Sequence, residues 1–161
     1  MNETRRSLDR IERLVEVRQT YVNAAEAAVR EAEVLVRYFE EEAAKVVLQI
    51  QQMREEIAYL KTLTAHAVQA REKHIFSLNF KARQIAQDLE KAVQMLEKRR
   101  AEWRETMKEK KIVERVQERR AHEWKRSVDV LAQKQVDEMT VGRFARHATS
   151  DATSDPTLTN S

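Results

Sequence analysis

The side chains that could do chemistry are few and scattered. His66, His74, His122 and His147 are the imidazoles available for a metal or a proton relay. No two of them stand four apart, the spacing that would put both on one helix face as metal ligands. Glu40-Glu41-Glu42 and Glu55-Glu56 are acidic clusters without the oxygen-rich loop that a Ca²⁺ site needs, and they read as solvated helix faces. A phosphate-cradling loop requires glycine, yet the single glycine is Gly142 and the single proline Pro156. There is no cysteine, so a thiolate nucleophile, a thiolate metal site and a disulfide framework are all excluded. The expectation is a protein that is not an enzyme, with no catalytic residue, metal, cofactor or small-molecule substrate.

What the chain does hold is a seam. From Leu8 to Ala67 apolar residues recur with alternating steps of three and four. One core position carries Leu8, Val15, Val22, Val29, Val36, Ala43, Ile50, Ile57 and Thr64. The other carries Ile11, Arg18, Ala25, Ala32, Phe39, Val46, Met53, Leu60 and Ala67. Only Arg18 and Thr64 break the apolar rule. A period of 3.5 held for so long is the mark of a left-handed coiled coil. The near absence of Gly and Pro argues against a sheet with tight turns, and 35% charged residues suit long solvated helices. Ser7-Leu8-Asp9 offers an N-cap. Ala25, Ala28 and Ala32 thin the core, and Tyr21, Tyr38 and Tyr59 lie beside it.

Between residues 62 and 80 the pattern loosens, with Thr62, Thr64, His66, His74, Ser77 and Asn79. A second seam then starts: Ile75, Leu78, Ala82, Ile85, Leu89, Ala92 and Leu96. A reversal at about 70–74 would give a first helix over about 8–70 and a second over about 75–141. Each would be on the order of 95 Å long. This length match favours an all-α antiparallel coiled-coil hairpin spanning 1–146; one continuous helix in a parallel dimer fits the loosened segment less well. Past Leu96 the seam sites become Arg99, Trp103, Thr106, Lys110, Val113, Gln117, Arg120 and Trp124, while Met107, Ile112 and Val116 fall out of phase and suggest a stutter. A C-terminal cap is expected at Gly142. Residues 147–161, with the doublet ATSD-ATSD, read as a disordered tail.

Charge is uneven. Residues 1–73 carry 12 Lys/Arg against 13 Asp/Glu, whereas residues 98–146 carry 15 against 9. The basic third implies an acidic partner or nucleic acid. Interleaved Glu102, Glu105, Glu109, Glu114, Glu118 and Glu123 argue against nucleic acid, because a phosphate-tracking face keeps one sign. A curved membrane-binding helical module and a purely structural coiled coil are further alternatives. Apolar runs such as Val46-Val47-Leu48 fall far short of the ~20 residues that span a bilayer, and the N-terminus lacks a signal peptide's apolar core.

Gln133-Lys134-Gln135-Val136-Asp137-Glu138-Met139, followed by Arg143 and Arg146, resembles the ending of the flagellar export protein FliJ family. Glu109-Lys110-Lys111 with the stretch Val113 to Arg120 is similar to that family's basic segment, and Asp88 to Gln94 resembles the start of its second helix. The resemblance spans about 1–146. It implies a non-catalytic central stalk of the flagellar type III export apparatus, cytoplasmic and peripheral at the inner membrane. Its implied partners are the export ATPase hexamer FliI, the gate protein FlhA and the export chaperones. By position it puts the ATPase-facing end at Arg5, Arg6, Arg10 and Arg13 with Lys125, Arg126, Gln133, Lys134, Asp137, Glu138, Arg143 and Arg146. The gate-facing surface falls near Tyr59, Ile85, Leu89, Ala92 and Leu96. The related YscO/SctO stalk of injectisomes has the same implied architecture.

Overall fold

The computed structural model describes residues 2–59 and 64–152. They form two α-helices, α1 over Asn2–Tyr59 and α2 over Ala65–Ala152, which within residues 16–111 pack as an antiparallel hairpin. The chain divides into two compact units, residues 16–111 and residues 1–15 with 112–161.

In the first unit the expected seam of α1 is the buried face. Every seam position from Arg18 to Ile57 is buried or half-buried. Val22 and Val46 are each 2% exposed, with Ala32 and Ile50 also in the core. On α2 the answering row is Leu78, Ile85, Ala92 and Leu96. Val46, Ile50, Leu78 and Ile85 form one cluster, ringed by Phe39, Ala43, Ile75 and Ala82. Each helix buries only one stripe, because a two-helix coil offers one facing surface.

Arg18 takes a seam position without burying a charge. Its guanidinium leaves the seam to meet the Glu109 carboxylate across the hairpin and lies 5.9 Å from the Tyr21 ring centroid. Arg100–Glu33 and Arg71–Glu56, both 3.2 Å, also cross between the helices. These exposed pairs contribute about 0–1 kcal/mol each and serve register more than stability.

Several boundaries depart from expectation. Residues 70–74 are not a turn but lie within α2, and α1 ends at Tyr59. Thr64 is not a seam residue: its Oγ1 accepts a hydrogen bond from the Ala67 amide at 3.2 Å, and its carbonyl accepts from Val68 at 3.1 Å. A threonine hydroxyl satisfying an orphan amide of the first turn is an N-cap, and it starts α2 without glycine or proline. Leu60 falls outside the described residues. Ser7 is not a cap either, since α1 begins at Asn2.

No stutter appears after Leu96. Arg99, Trp103, Thr106, Lys110, Val113, Gln117 and Trp124 are half-buried in heptad phase, with Arg120 alone of the expected sites exposed. Of the out-of-phase residues, Met107 is half-buried while Ile112 and Val116 are exposed. The upstream apolar cluster fixes the rotation of α2, and long polar stems cover the seam where apolar side chains run out.

Gly142 does not end the helix. Its φ is negative and α2 continues to Ala152, so residues 147–152 are helical; residues 153–161 fall outside the described residues. A glycine cap needs a left-handed conformation, and nothing here imposes one.

Two stability measurements follow. Leu78→Ala should cost about 2–4 kcal/mol in thermal or urea unfolding followed by circular dichroism, whereas Leu48→Ala, at a position 55% exposed, should change stability by less than about 0.5 kcal/mol. A Cβ at Gly142 would meet only the Arg146 guanidinium at 3.9 Å. Gly142→Ala should therefore stabilise the local helix by about 0.5–1 kcal/mol, read as slower amide exchange around it.

Candidate functional site

The second compact unit holds all the residues expected to face an ATPase. Arg5, Arg6, Arg10 and Arg13 are exposed on the first turns of α1. Between them, Leu8, Ile11 and Val15 are half-buried, so the seam pattern reaches almost to the helix start. On α2 the corresponding half-buried positions are Val113, Gln117, Trp124 and Ser127, the Ser127 hydroxyl donating to the Trp124 carbonyl at 2.7 Å.

Beyond Ser127 burial stops while the helix continues. Every described side chain over 128–150 is exposed, Gly142 alone being half-buried. Lys134, Asp137, Glu138, Arg143 and Arg146 all lie on this extension, and Lys125 and Arg126 stand exposed at its base. Gln133 donates to the Asp137 carboxylate at 3.2 Å, and Arg146 Nε donates to the Gly142 carbonyl at 3.2 Å. These local bonds orient side chains along the helix without removing their charge from solvent.

The extension is also apolar in a way the charges conceal. Leu131 is 42% exposed, Met139 66% and Phe144 73%; Val128, Val130, Val136 and Val141 are exposed as well. Trp124, Val128, Leu131, Ala132 and Met139 fall on one helix face at steps of three, four and seven. A charge count over 98–146 does not show this; the same 3.6-residue periodicity test used on α1 would have.

The expected gate-facing residues fare differently. Ile85, Ala92 and Leu96 are buried between the helices, out of a partner's reach while the hairpin is closed, and Leu89 is half-buried. Tyr59 is 81% exposed at the end of α1. The seam and a docking surface are both apolar, and position along α2 alone does not separate them. Phe76 and Phe80, one turn apart and both exposed, form an accessible aromatic patch that the sequence reading passed over.

One cleft opens within the hairpin itself. It encloses about 310 Å³ between Glu26, Val29, Arg30 and Glu33 of α1 and Arg100, Trp103 and Arg104 of α2. The small residues Ala25, Ala28 and Ala32 lie along α1 at this level. Trp103 Nε1 is buried there without an acceptor, an orphan donor in a seam too thin to supply one.

Glu42 is held below the ordinary carboxylate range by its hydrogen bond to Lys45 at 2.8 Å, and Lys45 is raised by the same contact. The two sit on one helix face, Lys45 exposed and Glu42 half-buried. Among the described residues no group of His, Asp or Glu could hold a metal, and no described helix is long and apolar enough to cross a membrane.

Neither the curated proteins nor the solved structures yield a match to this chain. The family described as "Flagellar FliJ protein" matches residues 6–149, nearly the whole of both helices. The chain belongs to the flagellar FliJ family and has a role in flagellar protein export.

Proposed function

We propose that this protein is a non-catalytic stalk that couples the hexameric export ATPase FliI to the export gate FlhA and also handles substrate chaperones. In this reading it works at the cytoplasmic face of the inner membrane, held there by protein contacts. The observation that carries the reading is the extension of α2 beyond Ser127. It is a helix whose described side chains over 128–146 are exposed, Arg143 and Arg146 among them, in the same compact unit as Arg5, Arg6, Arg10 and Arg13. A single helix with basic side chains suits entry into a narrow protein ring, because it is slim and its charges steer docking. The YscO/SctO-like alternative loses ground to the flagellar family match.

The gate contact is better assigned to Tyr59, Phe76 and Phe80 than to Ile85, Ala92 and Leu96. The first three are accessible and the others are needed to close the hairpin.

The test is ATP hydrolysis by the purified ATPase with and without this protein. Addition should raise the rate and promote hexamer assembly. Arg143→Glu with Arg146→Glu should lower the apparent affinity of that stimulation on the order of ten-fold, since rim charges act through association. Absence of any stimulation by the unaltered chain, or full stimulation by the double variant, removes the proposal.

A further inference from the structure

Over residues 128–146 the side chains of α2 are exposed and receive no packing from the rest of the described chain. A lone helix of this length is marginal in water unless an apolar face is covered. Its stripe runs through Val128, Leu131, the polar Gln135 and Met139, so the question is what fits it.

The charges beside the stripe are self-complementary. At 100° per residue, Asp129 and Arg143 lie along one edge of the stripe, and Lys134 and Glu138 lie along the other. In an antiparallel pair of identical helices, each edge faces the same edge of its mate, as an isologous two-fold requires. Asp129 then stands level with Arg143 of the mate, and Lys134 with Glu138, when both helices are centred on Val136. The two pairs share that one centre. Each occurs twice by symmetry, giving four opposite-charge contacts around a core in which Leu131 lies within about 3 Å along the axis of Met139 of the mate, and Val128 equally near to Gly142. The lack of a Cβ at Gly142 lets the helices approach closely at that layer. Val130, Val141 and Phe144 lie on the opposite face and remain free.

We propose that residues 128–146 of α2 pair antiparallel with the same segment of a second copy of this chain, about a two-fold axis at Val136. The proposal concerns the chain alone and does not rest on the stalk reading. It does have a consequence for that reading: Lys134, Glu138 and Arg143 are occupied in the free dimer, so a partner taking this helix must first displace the second copy.

The absence of cysteine allows a direct test in the full-length chain. Gln135→Cys places thiols on the stripe beside the two-fold and should give a disulfide-linked dimer under mild oxidation. Val128→Cys puts its two thiols about 24 Å apart along the axis at 1.5 Å per residue and should not cross-link. In sedimentation equilibrium the unaltered chain should approach twice its monomer mass as concentration rises over roughly 1–100 µM, the range of a modest interface. Lys134→Glu sets two repulsive contacts in the dimer and should weaken it about ten-fold. Adding Glu138→Lys should restore it. Phe144→Ser, on the opposite face, should leave it unchanged, with circular dichroism confirming that each variant keeps its helix. Monomeric behaviour throughout, equal cross-linking at both cysteine positions, indifference to Lys134→Glu, or dependence on Phe144 would each overturn the pairing.

Discussion

The structure depends on a single narrow seam. Two helices facing one another can bury only the row of residues between them, and there is no second layer to correct a poor match. Where both rows are apolar, around Val46, Ile50, Leu78 and Ile85, the side chains close over one another. Where α1 offers alanine and α2 offers Trp103, a cleft and an orphan indole donor remain. Where α2 turns polar, at Thr106, Lys110 and Gln117, burial is half complete. Beyond Ser127 it stops. The described chain accordingly contains no buried polar or charged residue, because a seam this thin has nowhere to satisfy one.

Helix formation and seam formation are separable in this chain. From Ala65 to Val141 no glycine or proline interrupts α2, and its Ala, Glu, Lys, Leu, Arg and Gln content favours the helix locally. The helix therefore outlasts the packing that stabilises its first part. That decoupling produces the exposed extension, which bears the charges and the unpaired apolar stripe together.

The period of the seam was legible because each residue's burial depends on repeats spread over many turns, so Arg18 alone does not obscure it. The ends of the helices were harder to read, since they hang on single residues. Thr64 fits the heptad by count, and only the bond from the Ala67 amide to its hydroxyl shows it capping α2 instead. Gly142 attracted a cap assignment by being the lone glycine, although glycine permits a left-handed turn without requiring one. Ile112 and Val116 suggested a phase change by their hydrophobicity. Rotating α2 to bury them would withdraw Leu78, Ile85 and Leu96, and that larger apolar surface decides the phase. Among the candidate site residues, the exposure of the charged ones at the helix ends was legible because charge on a solvated helix stays outside. The apolar ones could not, since Ile85 and Phe76 differ only in which way the helix turns them.

Stability and recognition consequently occupy different residues. The apolar seam acts at contact distance and is indifferent to moderate salt. The arginines at the start of α1 and the charges of the α2 extension stand in water, where attraction reaches about a Debye length, ~8 Å at physiological ionic strength. Such charges add little to the fold; in the role proposed above they would raise the rate at which an oppositely charged surface finds this one and set the register in which it docks. A partner that binds here can be exchanged without unfolding the hairpin, because no residue it touches is needed to hold Leu78 against Val46. A helix built that way can take one occupant in the free chain and another in an assembly. The choice between them is a difference of surface contacts alone.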